Sequence, residues 1–71
     1  MEKEIEFAVF CIENIAVHLN MDPSDVYNAL ACDSHILTSY IIPEYAVLHT
    51  QGKDYIVEDI IGVMRQEGLV A

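Results

Sequence analysis

Cys32, Asp33 and His35 stand close together in the chain, where a thiolate, a carboxylate and an imidazole could share a metal ion or form a nucleophile–base pair. A structural zinc site needs four ligands, however, and Cys11, His18 and His49 would have to converge on it from distant segments. A catalytic Cys–His pair needs an orienting third group, and no residue at a diagnostic spacing supplies one. The expectation for Cys32 is therefore a buried cysteine beside a helix cap, with no metal, no other cofactor and no catalytic residues.

His49-Thr50-Gln51-Gly52 is the densest polar cluster, and it follows the apolar Leu48 directly. It reads either as a polar ligand site or as a structural corner. In the second reading its side chains bond backbone groups left open between two helices, and Gly52, able to take positive φ, lets the chain turn. Downstream, Asp54, Glu58 and Asp59 complement the amino-terminal end of a helix dipole, with Glu58 and Asp59 facing solvent. Paired carboxylates without a pocket make no acid–base site, so the chain is expected not to be an enzyme.

The elements that carry these residues are helical. Ile5, Ala8, Val9, Ile12, Ile15, Ala16 and Leu19 recur at three- and four-residue spacing, which predicts a long first helix from about Lys3 to Asn20. Asp22 can cap a short second helix with Pro23 at its first position, running through Val26, Ala29 and Leu30. Asp33 or Ser34 can cap a third, over Ile36, Leu37, Tyr40 and Ile41. Pro43 should stop or kink it, because a proline pushes the preceding Ile42 out of the helical region. A further turn or two through Tyr45, Val47 and Leu48 leads to the last helix, about Asp54 to Glu67, with a core stripe of Ile56, Val57, Ile60, Val63 and Met64. Gly68 followed by Leu69 matches a left-handed helix ending, beyond which Val70 and Ala71 are expected to fray. The expected fold is all-α, a compact bundle of four to five short helices with a long first helix, forming a single domain over residues 1–71.

One face of the first helix carries more apolar surface than a solvent face should. A wheel at about 100° per residue gathers Cys11, Ile15, Ala8, Leu19, Ile12, Ile5, Ala16 and Val9 on one arc. Phe7, Phe10 and Val17 fall opposite, among Glu6, Glu13, Asn14 and His18. Either the last helix or the Tyr40–Leu48 segment covers these three, or they form an interaction surface for a second copy or another protein.

Size and charge favour the interaction reading. A chain of 71 residues buries only about 60% of its unfolded surface, and small domains often gain stability from a disulfide, a metal or oligomerisation. Cys11 and Cys32 are expected as free thiols, since nothing before them resembles a secretory signal and no run approaches the roughly 18 apolar residues of a membrane span. The expected location is the cytoplasm. Twelve acidic residues against three basic ones give a formal net charge of −9. That charge repels phosphate backbones, supplies none of the counterion release that drives nucleic-acid affinity, and steers basic proteins toward the surface. The helix-turn-helix outline over Asp22 to Ile42 has no Arg or Lys on its second helix to reach bases or phosphates, so no nucleic acid and no membrane are expected as partners.

The run Leu48-His49-Thr50-Gln51-Gly52, followed by Tyr55-Ile56-Val57-Glu58-Asp59-Ile60, resembles a short bacterial family of unknown function marked by Leu-His-Thr-Gln-Gly and then Tyr-Ile-Val-Glu/Asp-Asp-Ile. Ile36-Leu37 and Tyr40-Ile41 also fit that pattern, and the resemblance covers roughly two thirds of the chain. It implies no activity, but it favours a small acidic neutralising or adaptor protein. The expected function is thus a protein-interaction module, an adaptor or antitoxin-like regulatory partner, acting as a homodimer and binding a protein of basic character. The alternative is a small-molecule-binding domain built on the His49–Gly52 corner.

Overall fold

Helix ends and turns set the architecture of this chain, whose computed structural model describes residues 2–70. Helix α1 runs Glu2–Leu19. It stops because Asn20 enters the left-handed region at φ 55°, where Met21 N–H reaches the Ala16 carbonyl at 2.9 Å and Asn20 N–H that of Val17 at 3.3 Å. That pairing is a Schellman ending with asparagine in the position glycine usually takes. Two residues later Asp22 caps α2 (Pro23–Tyr27), accepting from Ser24 N–H at 2.9 Å, with Pro23 at the first position as expected.

From α2 the chain continues without a break into a wide, π-type turn, Asn28–Cys32, and a second such turn spans Leu37–Ile41. Ile42 departs from expectation. It stays in the right-handed helical region at φ −68° and ψ −49°, and its N–H bonds the Leu37 carbonyl at 3.1 Å, five residues back. The widened turn shifts the carbonyl register ahead of Pro43, so the ring is accommodated by loosening the helix instead of ending it. Glu44 N–H then returns to the Tyr40 carbonyl at 2.9 Å, and α3 (Tyr45–Leu48) follows.

Helix α4 covers Lys53–Gln66. Gly52 does not take the positive φ considered for it. It is extended, φ −69° and ψ 156°, and serves as N-cap; the reversal is made upstream by Thr50 N–H to Val47 O and Gln51 N–H to Leu48 O. Gly68 does go left-handed at φ 74°, with Leu69 N–H on the Met64 carbonyl at 2.9 Å and Gly68 N–H on that of Arg65 at 3.0 Å. Val70 packs partly buried against the core instead of fraying, and Ala71 lies outside the described residues.

The outcome is the all-α bundle with a long first helix, 75% helical and without strands among the described residues. Its radius of gyration is 10.8 Å, against about 11 Å for a compact chain of this length. The core joins Cys11 and Ile15 of α1 to Val26, Leu30, Ile36, Ile41, Ile60, Ile61 and Met64. Ile61 replaces the expected Val63, which is half-buried.

Helix α1 sits rotated from its apolar wheel. Phe7 is in the core at 8% exposure, whereas Ile5 and Val9, expected inside, are 55% and 48% exposed. The Tyr45 ring of α3 lies edge-on to Phe7, 5.4 Å between centroids. Burying a phenylalanine against an aromatic neighbour removes more apolar area than burying an isoleucine or valine at the other margin, and that gain sets the rotation. Among the described residues no helix is long and apolar enough to cross a membrane.

Candidate functional site

The two regions singled out in the sequence, the extra apolar residues of α1 and the polar corner before α4, meet in one open groove. Phe7 and Phe10 lie one helical turn apart on α1, with rings stacked at 6.2 Å and 20°. Phe7 meets Tyr45, and Tyr45 stacks on His49 at 4.4 Å and 12°. This second pair is four residues apart, the spacing that places side chains on one helix face. A continuous ladder of rings, Phe10, Phe7, Tyr45 and His49, therefore runs from α1 across α3. It borders a groove of about 530 Å³, completed by Lys3, Glu6, Gln51, Lys53 and Ile56.

Local bonds fix the polar residues. His49 Nδ1 lies 2.7 Å from the Tyr45 carbonyl. A carbonyl can only accept, so this nitrogen carries a proton and donates the bond. Thr50 Oγ1 donates to the Val47 carbonyl at 2.7 Å and Gln51 Nε2 to Thr50 Oγ1 at 3.4 Å. Of the four residues of the corner, His49 and Gln51 line the groove, while Thr50 and Gly52 shape the turn behind them.

Phe7, Phe10 and Val17 do not form one patch. Phe7 is core, forming the floor of the groove; Phe10 is 37% exposed at its edge. Val17 is 82% exposed and borders a separate recess of about 140 Å³ with Asn14, His18, Lys53, Asp54 and Val57. Tyr45, Lys3 and Lys53 are the contributors that sequence reasoning missed. A signal existed for the lysines: they are two of only three Lys and Arg residues in the chain.

The Cys32 region forms a different surface. Cys32 is exposed, not buried as expected, with its Sγ 3.9 Å from Asn28 Oδ1. With Asp33, Ser34, His35, Tyr40 and Val63 it lines a second recess of about 530 Å³. Ser34 is the buried polar residue there, its hydroxyl 2.8 Å from the Ala29 carbonyl and 3.3 Å from both the Leu30 carbonyl and Ile36 N–H. Tyr40 donates its hydroxyl to Asp59 on α4, so Asp59 is a fastening point and not the solvent-facing residue expected. That bond, ahead of burial, raises the Tyr40 pKa from 10.0 to about 12. Both cysteines are free, and burial pushes the Cys11 thiol up to about 12, where it is inert as a nucleophile at neutral pH. Among the described residues no group of three or more His, Cys, Asp or Glu is placed to hold a metal.

No curated protein and no solved structure matches this chain. A family does, and its match begins within α1, further upstream than the motifs over α3 and α4. Over residues 6–67 the chain belongs to the family described as Protein of unknown function (DUF3791).

Proposed function

We propose that this protein is a small acidic protein-interaction module, an adaptor or antitoxin-like regulatory partner, and that it acts by binding and not by catalysis. The observation that carries the reading is the ring ladder Phe10, Phe7, Tyr45 and His49 beside an open groove. Aromatic residues at the centre of a groove with a polar rim are the anchors that dominate protein interfaces. The formal charge of −9 favours a partner of basic character over the remaining surface. Capture of the tagged full chain from its native cell tests this. A stoichiometric protein partner is expected at low and moderate salt, and recovery of the tagged chain alone in both would overturn the proposal.

Self-association belongs to the same reading. Outside the groove, Ile5, Val9 and Val17 leave α1 with apolar side chains in solvent. A symmetric pair meeting on this helix would cover them. Glu6 and Glu13 on the same side disfavour a parallel pairing, so a crossed or antiparallel one is expected. Light scattering at about 100 μM, well above a micromolar Kd, should give a dimer; a monomer there removes this part of the proposal.

A small-molecule site in the same groove is the second reading, supported by a volume of about 530 Å³, within the roughly 300–1,000 Å³ of ligand pockets. A metabolite screen read by thermal shift separates the two. A ligand whose stabilisation disappears in Gln51→Ala would favour it over a protein partner.

A further inference from the structure

Resting on the interaction reading, we infer that the groove receives a partner segment in which a bulky apolar side chain stands next to one or more carboxylates. The chain has three Lys and Arg residues against twelve Asp and Glu, yet Lys3 and Lys53 line this one groove. They come from distant parts of the sequence, one in the first turn of α1 and the other at the first position of α4. Cations near a helix amino terminus oppose the helix dipole, so neither lysine helps the helix it sits on. Lys3 lies in the field of Glu4, whose carboxyl it helps hold below the usual carboxylate range. Glu6 lines the groove beside the two lysines, Glu4 interacts with Lys3 and Lys53 borders its other recess with Asp54, so these two lysines are the cationic part of the rim around a ring-lined floor.

The fit follows from these parts. An apolar side chain covers the exposed edge of Phe10 and the Tyr45 ring, and its neighbouring carboxylates lie at the two lysines, in charge-assisted contacts. Elsewhere the acidic surface repels such a segment, which confines it to the groove. Distant acids are damped beyond a Debye length of about 8 Å at physiological salt, so their repulsion does not cancel the local attraction. The partner can still be basic over the rest of its surface; the inserted segment is the acidic part.

A random peptide library displayed on phage and panned on the immobilised full chain tests this, with Phe10→Glu and the double variant Lys3→Glu/Lys53→Glu panned in parallel. Wild type should enrich peptides that join a bulky apolar residue to Asp or Glu. Phe10→Glu should lose them. The double variant, changed only at exposed positions, should bind the same peptides roughly tenfold more weakly and shift enrichment toward Lys and Arg. Enrichment that depends on Phe10 but selects basic or neutral neighbours overturns this inference and leaves the interaction module standing. Enrichment no greater on wild type than on both variants overturns the two together.

Discussion

Two polar corners join helices in this molecule, and they look alike in sequence. Ser34 sits between the two π-type turns, and His49-Thr50-Gln51-Gly52 precedes α4. In the first, a single buried hydroxyl ties the end of one turn to the start of the next through the Ala29 and Leu30 carbonyls and Ile36 N–H. Nearby, Tyr40 bonds Asp59 and fastens that side to α4. In the second, all four residues are exposed, and the bonds made by His49, Thr50 and Gln51 reach at most four residues along the chain. A buried polar group is costly to leave unpaired, whereas an exposed one exchanges its partner for water. The first corner is therefore structural, and the second is free to face a groove.

Substitution at the two corners should separate them. Ser34→Ala strands buried backbone groups and is expected to cost about 1–3 kcal/mol, read as a fall in the urea midpoint at constant slope. A loss under half a kilocalorie would put Ser34 on the same footing as the exposed corner. The fold should also be alkali-sensitive. The fold holds the Tyr40 pKa at about 12 against 10.0, and the Cys11 pKa at about 12 against 9.0. Folding thus favours the protonated forms, and their contribution is complete at neutral pH. It is lost as pH rises, first through Cys11 from about 9 and then through Tyr40 from about 10. In Tyr40→Phe the fall in stability above pH 10 should be shallower than in wild type when both are followed by urea denaturation. Equal slopes would show that folding does not raise the tyrosine's pKa.

The exposed corner should respond least. Thr50→Ala removes two solvent-accessible bonds, one to the Val47 carbonyl and one from Gln51, and is expected to cost less than about 0.5 kcal/mol. Gly52→Val is also expected to stay within about 1 kcal/mol. Gly52 is extended, and a Cβ there meets nothing within 4 Å. A loss of several kcal/mol in either would mean that this corner holds the fold after all.

Periodicity and capping residues made most of this fold legible. Asp22-Pro23 announces α2, Gly68-Leu69 announces the end of α4, and both behave as their chemistry requires. Local signals were silent where two elements compete for space. A helical wheel for α1 ranks Ile5 and Val9 with the core, because it cannot know that Tyr45 will stand beside Phe7. The effect of Pro43 likewise depended on whether the chain ahead of it could widen, and a proline rule applied to Ile42 alone misses that. The candidate site was visible as two fragments, Phe7 and Phe10 in one and His49 to Gly52 in the other. Their meeting is a tertiary fact, and so is the arrival of Lys3 and Lys53 at the same groove.

The central claim is that the ring-lined groove is for binding and the Ser34 corner is for folding. It is tested most directly by measuring the thermal midpoint and partner capture side by side for Phe10→Glu and Ser34→Ala. Phe10 is 37% exposed at the groove edge and Ser34 is 8% exposed. Phe10→Glu is expected to keep most of its helical signal and midpoint while losing the partner. Ser34→Ala should lower the midpoint by several degrees yet still capture the partner below it. Undiminished capture by Phe10→Glu, at a midpoint equal to wild type, would mean that the ring-lined groove is not the binding surface.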